Sequence, residues 1–122
     1  MKPTILDVTL RDGSYELDFQ VSDQDEILVG TALEKAGIEY IEIGHGQGLN
    51  ASSPKNGIAR CTDLEYLLAA EENFHRAKYG FFCIPGCKTA ALQISGLLSH
   101  SPRCLRTIRI SRFRYGTMCH LL

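Results

Sequence analysis

The chain has 122 residues, 44% hydrophobic and 22% charged, with four prolines and eleven glycines. That balance fits one globular domain and excludes collagen-like or long disordered chains. No run approaches the ~18 apolar residues of a membrane span, no apolar leader precedes Asp7, and a formal net charge of −1 gives no reason to expect a nucleic-acid binder.

Thr4–Val8 is the first strand candidate, a short apolar run broken by one acid. Ser22-Asp-Gln-Asp25 resembles a helix cap with acids in the first turn. Leu28, Ala32 and Ala36, with Ile27 and Leu33 beside them, then recur at helical spacing and predict the apolar face; Gly37 ends that helix. Tyr40–Ile43 is the second strand, and a loop rich in Gly, Ser, Asn and Pro runs from Gly44 to Cys61. Thr62-Asp-Leu-Glu65 is a capping box that opens a second helix, with Leu64, Leu67 and Leu68 on its apolar face. Lys78–Ile84 is a third strand, stopped by Pro85-Gly86. Thr89–Leu98 reads as a third helix and Leu105–Ile110 as a fourth strand.

The order β-α-β-α-β-α-β demands parallel strands with right-handed crossovers. The fold class is therefore α/β. Two architectures accept the order: an open doubly wound sheet, or the N-terminal half of an eight-stranded βα barrel, a fold that typically needs ~250 residues.

Charge divides the chain. All fourteen acids lie between Asp7 and Glu72, where they meet five Lys or Arg; residues 73–122 hold eight Lys or Arg and no acid. Arg103, Arg106, Arg109, Arg112 and Arg114 crowd the end. Such asymmetry marks a basic tail or a C-terminus that did not evolve with the rest. Arg106 and Arg109 fall on opposite faces of a strand pattern, which argues against one basic stripe. Residues 1–97 are read as the folded unit, and residues 98–122 as a divergent segment with a fourth strand and a poorly ordered tail.

The five cysteines are odd in number and form no Cys-x-x-Cys. Reduced thiols in a cytoplasmic protein are expected. Cys83, Cys87, Cys119 and His120 do not have a common zinc spacing. Gly46-x-Gly48-x-x-Ala51 matches a dinucleotide fingerprint formally, but Pro54 and Asn56-Gly57 follow at once and leave no helix N-terminus for a pyrophosphate.

Two segments carry chemistry. The first strand runs into Asp7-Val-Thr-Leu-Arg-Asp-Gly13, placing Arg11 and Asp12 where α/β folds keep their sites. Arg11 can steady an oxyanion through its planar fork of donors. Asp12 is a hard oxygen ligand suited to Mg²⁺ or Mn²⁺. A solvated ion pair is the alternative reading of both. After the second strand, His45 can act as acid–base group or ligand. Asn50, Ser52 and Ser53 can hold a substrate carboxylate or carbonyl, and a plain flexible loop is the alternative. Cys87, after the third strand, has nothing behind it to make it a nucleophile.

Leu6-Asp-Val-Thr-Leu-Arg-Asp-Gly-Ser14, Ala36–Ser53 with its His-Gly-x-Gly-Leu-x-x-Ser-Ser block, Thr62-Asp-Leu-Glu-Tyr66 and Phe82-Cys-Ile-Pro-Gly86 together resemble the 4-hydroxy-2-oxovalerate aldolases. These belong to the metal-dependent lyase superfamily that includes 3-hydroxy-3-methylglutaryl-CoA lyase and isopropylmalate synthase. The resemblance covers roughly residues 4–95 and fades after about residue 97. It implies a βα barrel and retro-aldol cleavage of a 4-hydroxy-2-oxo acid to pyruvate and an aldehyde. It also implies Mn²⁺ or Mg²⁺ on Asp12, Arg11 on the pyruvate enolate, and an acylating aldehyde dehydrogenase as partner.

There are two departures. Tyr15 stands where such aldolases usually carry a histidine base; a phenol is a poor base at neutral pH, which leaves Tyr15, His45 as a substitute base, or a different substrate as the readings. The family's His-x-His ligand pair does not occur in this chain. The expectation is a truncated or frame-shifted relative, or the leading piece of a longer enzyme, without activity on its own. Two other readings are an acyl-CoA lyase or synthase of the same superfamily, and a non-catalytic module that associates through its open sheet edges.

Overall fold

A computed structural model describes residues 3–83, 108–113 and 116–121. Three strands follow the expected parallel order: β1 (Leu6–Asp7), β2 (Tyr40–Ile43) and β3 (Lys78–Cys83) lie side by side in chain sequence. Leu6 stands opposite Tyr40, and Ile41 opposite Tyr79. The α/β class and its parallel sheet thus agree with the element order in the sequence.

The fourth strand departs from the expectation. Among the described residues it covers Ile108–Phe113, running past the expected end at Ile110, and this β4 is an edge strand of the sheet. A further strand, β5 (Gly116–Leu121), lies between it and β3 and runs antiparallel to both, with Phe81 opposite Cys119. Strands joined by so short a link have no room for a crossover and can only pair antiparallel. The stretch expected as a tail therefore supplies a strand. The expected helix at 89–98, Pro85-Gly86 and Cys87 lie outside the described residues.

The helices between the parallel strands begin as predicted. In α1 (Asp23–Lys35) the Ser22 hydroxyl accepts from the Asp25 backbone N–H, and the Asp25 carboxylate accepts from the Ser22 N–H. In α2 (Asp63–Asn73) Thr62 and Glu65 repeat the exchange. Each box satisfies two N–H groups that a helix start leaves unpaired. Gly37 ends α1 with φ +90°, its N–H donating to the Glu34 carbonyl.

One continuous core lies between these helices and the sheet, built from Leu10, Val21, Ile41, Ile43, Leu49, Tyr66, Leu67, Ala70, Phe74, Ala77 and Phe81. The face of α1 that meets it is not the predicted one. Leu28 is 70% exposed, and Ala32 and Ala36 are exposed with it. Glu26 and Gly30 are buried instead, with Val29 and Leu33 packed beside them. The reason is steric: the Phe74 ring occupies the space a side chain at position 30 would need, so Gly30 must face α2.

Alternation along β2 sets up the site. Ile41 and Ile43 point into the helix-side core, and Glu42 takes the opposite face, yet all three are buried.

Candidate active site

The site grows from the chain leaving β1. The Asp12 N–H donates to the Val8 carbonyl at 2.7 Å, and a 3-10 helix follows over Asp12–Leu17. The Ser14 hydroxyl donates back to the Arg11 carbonyl at 2.7 Å. This tight turn aims Arg11 across to β2. Its Nε and Nη2 both lie 2.7 Å from Glu42 Oε2. Its Nη1 lies 3.0 Å from Asp12 Oδ1 and 3.3 Å from the Gly46 carbonyl oxygen. The guanidinium carbon stands 4.9 Å from the centre of the Phe82 ring. Arg11 and Asp12, neighbours in the chain, thus form an ion pair. Their environments differ: the Arg11 side chain is 15% exposed and that of Asp12 61%.

His45 closes the β2 end and is 1% exposed. Its Nδ1 accepts from the Gln47 N–H at 3.0 Å. Its Nε2 lies 3.0 Å from the Gly57 carbonyl oxygen, so the ring is the neutral Nε2–H tautomer. Phe19 stacks on it at 4.0 Å. Both nitrogens are committed to backbone groups, and the ring ties the two ends of the 44–61 loop together.

Tyr15, 45% exposed, meets Phe19 edge-on at 5.0 Å. It lies across Gly46, where a Cβ would stand 2.6 Å from the ring. Gly46 thereby joins the two halves of the site, with the Tyr15 ring on its Cα and Arg11 on its carbonyl.

The residues expected to hold substrate fall elsewhere. The Asn50 N–H donates to Asp63 Oδ2 at 2.7 Å, and Asn50 has a left-handed φ of 62°. Ser52 Oγ accepts from the Ala59 N–H, and Ser53 Oγ from the Asn56 N–H. Both serines brace the loop. Asn50 and Ser52 line a cavity of about 320 Å³ with Ile58, Arg60, Thr62 and Asp63. Arg11 and Asp12 are not among its walls. Burial pushes the Asp63 carboxyl up, against the opposing pull of the Asn50 N–H.

Asp12 has the donor type a hard divalent ion prefers, but Arg11 already takes one of its oxygens. Among the described residues no three His, Cys, Asp or Glu side chains converge. One exposed carboxylate is not a ligand set, so these residues by themselves do not fit such an ion.

Glu42 and Phe82 also belong to the site, through their contacts with Arg11, and no motif in the sequence marks them as site residues. The signal present is Ile-Glu-Ile in a strand: a charge buried between two core residues needs a buried partner, though the pattern does not say which cation supplies it.

An α/β unit with an arginine–carboxylate cluster at the outgoing end of its first two parallel strands is placed as an enzyme of the α/β class places its catalytic groups. Known proteins narrow the class. The chain is 41% identical over 86 residues to 4-hydroxy-2-oxovalerate aldolase 2 of Salinispora arenicola, covering 70% of this chain and 25% of that protein. It is 43% identical over 84 residues to oxaloacetate decarboxylase of Mycobacterium tuberculosis, covering 69% and 25%. It is 34% identical over 108 residues to 4-hydroxy-2-oxovalerate aldolase 2 of Nocardia farcinica, covering 88% and 30%. That last match is too long to fit within residues 1–97, so similarity continues past the point where the sequence reading lets it fade. No family model matches the chain. Over the matched residues the chain is similar to the 4-hydroxy-2-oxovalerate aldolases, and these matches support that superfamily. It spans about a quarter of the length of the curated relatives it matches.

Proposed function

We propose that this chain contributes to a carbon–carbon lyase that splits a 4-hydroxy-2-oxo acid into pyruvate and an aldehyde. In this reading the three parallel strands are the leading strands of a βα barrel. Their sequential order is common to a barrel and to one half of a doubly wound sheet, so the choice of a barrel rests on the similarity to the aldolases. The observation that carries the reading is the fixed guanidinium of Arg11 beyond β1, in a chain so similar to named aldolases.

In the retro-aldol step the 4-hydroxyl loses its proton and the C3–C4 bond breaks. C4 leaves as the aldehyde carbonyl. The bonding pair moves into C2–C3 and places negative charge on the C2 oxygen, and a proton added at C3 then yields pyruvate. Arg11 steadies that enolate oxygen, an interaction stronger in the transition state than in the substrate. With both His45 nitrogens occupied, Tyr15 is the residue assigned to the 4-hydroxyl proton, and His45 the one that shapes the loop. Mn²⁺ or Mg²⁺, with Asp12 as one ligand, belongs to this reading of the whole enzyme; no step is assigned to it on these residues. An acylating aldehyde dehydrogenase is the proposed partner, one that would consume the aldehyde.

The sealed His45 favours a second reading. Decarboxylation of a 2-oxo diacid passes through the same pyruvate enolate and needs no base for a hydroxyl proton. The oxaloacetate decarboxylase among the relatives points the same way.

A chimera tests both readings. Residues 4–83 replace their counterpart in the Salinispora aldolase, and pyruvate release is followed with a 4-hydroxy-2-oxo acid and with oxaloacetate. Release from the hydroxy acid, reduced at least about 100-fold by Arg11→Lys, supports the aldolase. Release from oxaloacetate alone supports the decarboxylase. A folded chimera inactive on both overturns the assignment.

A further inference from the structure

We infer that Glu42 is the positioning residue of Arg11: a buried carboxylate that fixes the plane and direction of the guanidinium and leaves its other edge for an anionic ligand. The inference deepens the proposed function and rests on it for the ligand.

A free arginine side chain rotates about four bonds, and an anion must freeze that motion when it binds. Here the freezing is already done. Glu42 Oε2 receives Nε and Nη2 together, both at 2.7 Å. Two contacts on one edge of a planar group set its position and its in-plane rotation. Phe82 lies against the face at 4.9 Å and sets the tilt. The Glu42 side chain is 4% exposed and β2 carries it, so the anchor belongs to the sheet rather than to a loop.

The remaining contacts are of another kind. Nη1 meets Asp12, which is exposed and can swing into water, and the Gly46 carbonyl at 3.3 Å. A ligand can therefore displace Asp12 from the outer edge without disturbing Glu42 on the inner one. The buried pair also explains the glutamate energetically. Its charge has no other cation within ion-pair distance among the described residues, and a buried charge without a partner is strongly destabilising.

The test uses the 122-residue chain and oxalate, a planar dianion shaped like the pyruvate enolate. Wild type, Glu42→Gln and Arg11→Lys are titrated with oxalate, and the Arg11 Nε–H resonance is followed by NMR. The wild-type resonance should exchange slowly with water. In Glu42→Gln it should be lost or exchange at the rate of free arginine, and oxalate should bind at least tenfold more weakly. A folded Glu42→Gln chain that binds oxalate as wild type does, with the resonance still slow, overturns the inference. Oxalate that fails to bind wild type counts against Arg11 as an enolate site, while the resonance still reports on Glu42. If the glutamine variant does not fold, a wild-type Nε–H that exchanges as fast as free arginine overturns the inference by itself.

Discussion

The two long helices open on the same device, a hydroxyl N-cap reciprocated by an acid three residues on, yet they bury opposite kinds of residue. Helix α2 presents Tyr66, Leu67, Ala69 and Ala70 to the core, and the Tyr66 hydroxyl donates to the Val21 carbonyl at 2.7 Å. Helix α1 presents Glu26 and Gly30 and turns Leu28 outward. Both Glu26 oxygens are buried with no hydrogen-bond partner among the described residues. Burial, with Asp23 nearby, pushes its carboxyl from the usual 4.5 up to about 9. A cap fixes where a helix starts; which face packs is decided by what lies opposite.

The largest expected effect breaks this contrast at Glu26. The folded carboxyl holds its proton to about 9, and the unfolded one releases it near 4.5. Its contribution is therefore fully present below about 4.5 and is lost as pH rises toward 9. The slope is about 1.4 kcal/mol per pH unit for one proton. Urea unfolding should show lower stability at pH 8 than at pH 5, and Glu26→Leu should remove that slope. The leucine variant should be more stable than wild type at pH 8 by about 3 kcal/mol. An unchanged slope would sink the assignment of Glu26 as a buried neutral acid.

Next comes Gly30. A Cβ there would stand 2.0 Å from Phe74 Cζ. Gly30→Ala should cost about 2 kcal/mol by overpacking, although alanine is the better helix former. A second change, Phe74→Leu, should restore part of the loss, as a double-mutant cycle would read.

The caps should behave alike where the faces differ. Ser22→Ala and Thr62→Ala should each lose about 1 kcal/mol, measured by thermal or urea unfolding. The smallest effect sharpens the contrast: Leu28→Lys, on the outward face of α1, should change stability by less than about 0.5 kcal/mol.

Much of the fold is legible from local patterns. Ser22/Asp25 and Thr62/Glu65 mark the helix starts because capping joins residues three apart in sequence. Tyr40–Ile43 reads as a strand from its own composition. The face of α1 is not legible, since Leu28-Ala32-Ala36 is as regular a row as Glu26-Gly30 and only Phe74, 44 positions from Gly30, distinguishes them. The antiparallel β5 is not legible either, because strand direction depends on the length of a link rather than on a residue pattern.

The candidate site divides the same way. Arg11, Asp12, His45 and Tyr15 stand in a contiguous pattern that the sequence alone brings forward, because the chemistry of a motif is carried by residue type and spacing. Their states were decided by partners 31 or more positions from Arg11 and 12 from His45: Glu42 and Gly46 for the guanidinium, Gly57 for the imidazole. Residue type tells which groups can bear charge or pass a proton. Burial and hydrogen bonds between distant segments determine which of them remain free to do so, and only tertiary packing supplies those.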